Sequence, residues 1–186
     1  MGNLGGKAGD LATYQRGKAG TARATYGAEY YDYAAPPWVR KAIERRLGYP
    51  DLDVASSYGM EFGRRHYTPE QDGLKQNWYK DSGEDLVWCH PPYDTDYLGE
   101  WVGRAWAMAQ KGCVVACMLP TWRKYTWLDD YVYPFGEVLY PTRLVVLKGF
   151  GPMKGKQCGN TNWYNEYETV FAIFRKGQRG FCGGWL

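Results

Sequence analysis

The chain has 186 residues, 17% of them aromatic, and a net charge of +3, a length that suits one domain with a full hydrophobic core. No apolar run reaches the ~18 residues a bilayer crossing needs, and the first residues lack the hydrophobic stretch of a secretory signal, so the expectation is a soluble, cytoplasmic protein. Cys89, Cys113, Cys117, Cys158 and Cys182 show no paired spacing and no neighbouring histidines, which argues against a metal site or a disulfide framework.

Charge is unevenly placed. Residues 1–27 carry Lys7, Arg16, Lys18 and Arg23 against Asp10, and residues 141–186 carry seven basic groups against Glu166 and Glu168. The stretch between them is net acidic, a pattern that suits a polyanion held at the ends. Aromatic rings in this number fill a core, stack on bases, or do both.

Residues 1–27, with seven glycines and no hydrophobic periodicity, read as a flexible basic arm, leaving residues 28–186 as the folded domain. Order is expected from about Tyr30. Pro36-Pro37 opens a helix at its first turn, with Val39, Ile43 and Leu47 on one face until Gly48 and Pro50 end it. Asp51 to Ala55 reads as a short strand stopping at small residues. His66 to Trp78 reads as a turn followed by a short strand. Asp85 to Cys89 is a strand, and Tyr97 to Gln110 a helix with Leu98, Trp101, Val102, Ala105, Met108 and Ala109 inward. Cys113 to Leu119 is a buried strand, and a further helix starts near Tyr125. Strands are expected at Glu137 to Tyr140, Arg143 to Leu147 and Glu168 to Phe174, with a long Gly-rich loop from Gly149 to Gly159. This alternation predicts an α/β sheet with helical crossovers.

The chemistry concentrates where strands end. Asp85-Leu86-Val87-Trp88-Cys89 runs into His90-Pro91-Pro92-Tyr93. Two prolines fix φ and offer carbonyls without N–H groups, so the ledge can accept bonds from an exocyclic amine while Tyr93 stacks on the base. Asp51-Leu52-Asp53-Val54-Ala55-Ser56 is a second strand end, whose small residues let a ligand approach the backbone and whose carboxylate can receive an ammonium. In open α/β sheets, ligands bind at the carboxyl ends of strands. Met118-Leu119-Pro120-Thr121-Trp122-Arg123 is a third emergence from a buried strand.

Taken in order, the Ala35-Pro36-Pro37 entry, the Asp-Leu-Asp-Val-Ala-Ser run, Tyr67-Thr68 with Asp72-Gly73-Leu74 and Trp78, the Pro-Pro-Tyr ledge, Met-Leu-Pro and Arg143 resemble the phage-type DNA N6-adenine methyltransferases, the Dam methylases of bacteriophage. The resemblance runs from about Tyr31 to Arg175. It implies a Rossmann-like fold dependent on S-adenosylmethionine, with a mostly parallel central sheet and helices on both faces, in the cytoplasm, that of the host cell if the protein is phage-encoded. It implies that Asp51, Asp53, Ala55 and Ser56 lie along the cofactor, Asp53 meeting its ammonium, and that Asp72 faces its adenine ring. His90, Pro91, Pro92 and Tyr93 would hold the target base. Phosphate and base contacts would come from Arg123 and Lys124, and from Lys154, Lys156 and Asn162 in the later loop. Glu61 is a candidate for the cofactor ribose.

The sequence departs from the family twice. Ala35 stands where the family has Thr, and His90 stands where it has Asn or Asp. A neutral imidazole offers one acceptor nitrogen and imidazolium offers none, so activity is expected to fall as pH drops through about 6.5. Cytosine-N4 methylation shares the same ledge chemistry. A DNA-binding relative that lost catalysis at His90, and methylation of RNA or free nucleotides, are the other readings.

Overall fold

The computed structural model describes residues 33–56, 61–79, 85–93, 97–121, 125–143, 145, 147–149, 157–158 and 169–186. The arm at residues 1–27 lies outside them. So do Arg123, Lys124, Lys154, Lys156 and Asn162, the residues expected to contact DNA, and most of the Gly-rich segment from Gly149 to Gly159 that was expected as a loop.

Strand β1 is Tyr33–Ala34, followed by helix α1 at Pro37–Leu47. Pro36 holds extended geometry, and its carbonyl accepts the N–H groups of Val39 and Arg40 at 3.0 and 3.2 Å. Pro37 costs the first turn nothing, since its missing N–H would have gone unpaired there. Gly48, at φ +97°, ends the helix by donating to Glu44 at 2.8 Å.

Strands β2 (Leu52–Asp53), β3 (Arg65–His66) and β4 (Leu86–Cys89) follow, then helix α2 (Leu98–Lys111) and strand β5 (Val114–Pro120). A π-helical turn at Leu128–Val132 and a helical turn at Tyr133–Phe135 lead into β6 (Gly136–Tyr140). Strands β7 (Leu147–Gly149) and β8 (Gln157–Cys158) join β1 in a small antiparallel sheet. Strands β9 (Thr169–Phe174) and β10 (Phe181–Trp185) complete the main sheet.

That sheet has seven strands in the order β10-β6-β9-β5-β4-β2-β3. All pairs are parallel except the two that β9 makes with β5 and β6. The fold is therefore mixed α/β, mostly parallel, with one strand reversed.

Strands β4 and β5 are apolar at nearly every position because both of their faces are covered, as central parallel strands require. On one face Val87, Cys89, Val115, Cys117 and Leu119 meet Leu98, Trp101, Val102, Ala105, Met108 and Ala109 of α2. On the other face Leu86, Trp88, Ala116, Met118, Phe171 and Ile173 meet Val39 and Ile43 of α1. All six residues expected to face inward on α2 are buried. A fully enclosed Ile43 alone contributes about 2 kcal/mol of apolar burial, and truncating it to Ala would cost more through the cavity left behind.

Two expectations need correction. The stretch before Trp78 holds no strand after its turn: Gly73–Lys75 forms a 3₁₀ turn, and the strand of this region, β3, precedes it. Its tightness comes from Gly73, where a Cβ would collide with the Val54 carbonyl oxygen. The later strand begins at Leu147, with Arg143 in a bend after β6.

Strand β10 carries no apolar alternation to announce it. Gly183 allows it to lie against β6, since a Cβ there would strike the Glu137 side chain. Glu137 itself is buried and paired with Arg46 of α1 and with Arg175, the latter at 2.7 Å. Burial alone would raise its pKa, but hydrogen bonds from both guanidinium groups outweigh that and hold the carboxyl below its usual value.

Candidate functional site

From β2 the chain moves outward to β3 and then returns to β4 on the opposite side of β2. The strand order reverses between β2 and β4, and the crevice beyond their carboxyl ends is where open α/β sheets bind ligands. Asp53 and Trp88 are register partners there, and the Val54 N–H donates to the Trp88 carbonyl at 3.0 Å. Hence the Asp53 strand end and the His90 ledge, 37 positions apart in the numbering, emerge side by side.

Asp53 is only 3% exposed. One carboxylate oxygen accepts the Ala55 N–H at 3.1 Å and the other accepts the Phe62 N–H at 3.0 Å. Gly63 lets that covering segment close down, for a Cβ there would press 2.6 Å from the Asp53 nitrogen. Burial raises the Asp53 pKa to about 6, against the opposing pull of the two N–H bonds, Arg40 and His66. A carboxylate has about four acceptor positions, and among the described residues two hydrogen bonds are donated to it. A desolvated anion is stabilised by a cation brought to it.

Arg40 was not singled out by sequence reasoning. It extends from α1, donates Nε to the Ala35 carbonyl at 3.1 Å and lies 6.0 Å from the Phe62 ring centroid. Its position one turn after the Pro36-Pro37 entry was the available signal, because that entry puts the start of α1 at the sheet's carboxyl edge.

Ser56 is buried, and its N–H donates to the Tyr67 carbonyl, while the Tyr67 N–H donates to the Asp53 carbonyl at 2.9 Å. Ala55 packs on the α2-side core. The close approach of Gly73 to Val54 brings Asp72 to the same strand end. Asp72 has φ +54°, unusual for a residue with a side chain, and pairs with Lys75 at 2.9 Å. Such backbone costs about 1–3 kcal/mol and collects at functional sites.

Asp51 sits apart from these. Its N–H donates to the Leu86 carbonyl, and its carboxylate accepts the Leu86 N–H and meets Arg64 Nε, each at 3.3 Å. That is the amino-terminal side of β2, away from the crevice. Glu61 lies 4.0 Å from His66 Nε2, at the strand neighbouring Asp53.

On the ledge, Pro91 is buried, while His90, Pro92 and Tyr93 keep part of their surface open. The His90 ring meets Tyr93 edge to face at 5.4 Å and Trp88 at 6.4 Å. The Tyr93 hydroxyl donates to the Met118 carbonyl of β5 at 3.4 Å, which ties the ledge to the next strand. Enclosure lowers the His90 pKa to about 4, and the positive charge of Arg40 adds to the effect. The imidazole is therefore neutral through pH 6.5, and the loss of activity expected there does not belong to His90.

Among the described residues there is no group of three or more His, Cys, Asp or Glu placed to hold a metal ion. No described helix is long and apolar enough to cross a membrane. The profile of the family described as DNA N-6-adenine-methyltransferase (Dam) matches residues 25–165, a span that includes both strand ends of the crevice. No curated protein matches the chain.

Proposed function

Because the chain belongs to the DNA N-6-adenine-methyltransferase (Dam) family, we propose that it transfers a methyl group from S-adenosylmethionine to the N6 amine of adenine in DNA, on a Rossmann-like domain. The observation that carries this reading is the meeting of the buried Asp53 with the His90–Tyr93 ledge at one switch point.

The crevice suits the cofactor. Asp53 receives its ammonium beside the bonds it accepts from Ala55 and Phe62, Ala55 and Ser56 let it approach the backbone, and Asp72 meets its adenine end. Bound there, S-adenosylmethionine supplies an electrophilic methyl group on a sulfonium. Asp51, engaged by Arg64 and the Leu86 N–H, braces β2 against β4 and supports Asp53 from below.

An adenine N6 lone pair is delocalised into the ring and is a poor nucleophile. Catalysis here consists of holding its N–H groups so that the lone pair points at the methyl group, which is orientation and preorganised electrostatics. Neutral His90 accepts one N–H through its free ring nitrogen, and the Pro91 carbonyl accepts the other. Its depressed basicity means that His90 orients the amine without keeping the proton, which passes to water. Extruding the base costs a few kcal/mol, and stacking on Tyr93 returns about 1–3 kcal/mol of it. On this reading the protein's partner is duplex DNA with one base turned out, and Arg123, Lys124, Lys154, Lys156 and Asn162 supply the recognition contacts.

Calorimetry with S-adenosylmethionine, followed by tritiated-methyl transfer to duplex DNA and identification of the modified nucleoside, tests this. N6-methyl-2′-deoxyadenosine is the expected product. N4-methyl-2′-deoxycytidine would move the activity to the other exocyclic amine. Salt-dependent DNA binding without cofactor binding would mark a silent relative.

A further inference from the structure

Two aromatic side chains stand open at the far end of the main sheet. Tyr140 closes β6 and Trp185 closes β10, and the two are register partners on parallel neighbours. Their ring centroids lie 6.1 Å apart, inclined at 58°. Trp185 is 70% exposed and Tyr140 37%, although the four residues before Tyr140 on β6 are all buried. Both strands run parallel to β5, β4 and β2, so the pair occupies the same carboxyl edge as Asp53 and His90.

A cation accompanies it. Arg143, exposed in the bend after β6, sets its guanidinium 4.4 Å from the ring centroid of Trp38, in the first turn of α1. No carboxylate among the described residues pairs with it. A guanidinium stacked on an indole keeps its N–H fork turned outward for a phosphate oxygen. Exposed rings, and an arginine that pairs with no described carboxylate, are elements with which proteins contact the sugars and phosphates of a nucleic-acid backbone.

Spacing fixes where such a contact falls. Neighbouring strands lie about 4.8 Å apart, which puts Tyr140 about 14 Å and Trp185 about 19 Å along the edge from His90. Nucleotides advance about 3.4 Å along a strand.

We propose that Tyr140, Trp185 and Arg143 form a second nucleic-acid contact, four to six nucleotides from the target base, with the rings against the sugars of the backbone and Arg143 on a phosphate. This rests on DNA being the substrate. A second copy of the chain pairing along the open side of β10 is the competing occupant. The contact's shared edge with the crevice and its arginine favour DNA.

The test measures affinity for a labelled 20-base-pair duplex over a salt series, cofactor binding by calorimetry, and mass by sedimentation. Trp185→Ala is expected to weaken DNA binding about tenfold with an unchanged salt slope, and Trp185→Phe to recover most of the loss. Arg143→Ala is expected to reduce the salt slope by about one. Cofactor affinity should stay the same in all three variants. If the parent binds duplex and Trp185→Ala binds it equally well, the contact is wrong while the proposed function stands. If Trp185→Ala instead turns a dimer into a monomer at unchanged DNA affinity, the rings belong to a subunit interface and the proposal fails. A parent that binds neither DNA nor cofactor would remove the function, and the contact with it.

Discussion

Replacing Asp53 by Asn separates a functional carboxylate from a structural one. The pKa rise from 3.8 to about 6 corresponds to a cost of about 3 kcal/mol for carrying the ionised group in the folded protein. Between these values the native state binds more protons than the unfolded chain, so stability falls as pH rises, and the cost is complete above pH 6. Asn carries no such charge. Its amide nitrogen, however, must face the N–H of either Phe62 or Ala55, donor against donor, at about 1–3 kcal/mol. The variant should therefore be nearly as stable as the parent at pH 7.5, and should lose about 2 kcal/mol relative to it at pH 4.5. Cofactor binding should move the other way: losing a charge-assisted bond to an ammonium raises Kd about 10- to 100-fold. Urea unfolding at the two pH values, with calorimetry at pH 7.5, reads both effects. Equal destabilisation at both pH values together with an unchanged Kd would refute the reasoning.

The pH profile of methyl transfer offers a second check: activity should hold from pH 8 to about 6.5, then decline near pH 6 as Asp53 takes up a proton. His90 charges only near pH 4, so His90→Asn should leave that decline in place, and a decline that vanished in the variant would return the titration to the histidine. Gly73→Ala drives a Cβ into the Val54 carbonyl and should displace Asp72, costing at least about 2 kcal/mol and weakening cofactor binding in the folded fraction; unchanged binding would detach Asp72 from the site. Glu137→Ala strands Arg46 and Arg175 and should cost about 3 kcal/mol in urea unfolding, with transfer by the folded fraction unaltered.

Much of the architecture was legible from local pattern. Pro36-Pro37 and Gly48 bounded α1 because proline pre-sets a first turn and glycine accepts the φ of +97° that ends the helix. The inward face of α2 followed from its apolar spacing, and β4 and β5 from apolar runs that only a strand covered on both faces sustains. Pro-Pro-Tyr stood out through its position at the carboxyl end of a predicted central strand, since the tripeptide alone occurs in many loops. Strand β10 was invisible. Phe-Cys-Gly-Gly-Trp has no alternation, and its place was decided by room for Gly183 against Glu137.

The site divides in the same way. Residue types and their order along the chain determined which groups could hold an amine or an ammonium, since acceptor count and ring size are properties of single side chains. Tertiary structure decided which of two nearby aspartates stands at the carboxyl end of β2 beside β4. It also set the buried carboxyl near 6 and the imidazole near 4, and brought Arg40 close to both. Desolvation and through-space charge depend on what other segments cover a group, and the Phe62 segment over Asp53 is specified only once the chain has folded.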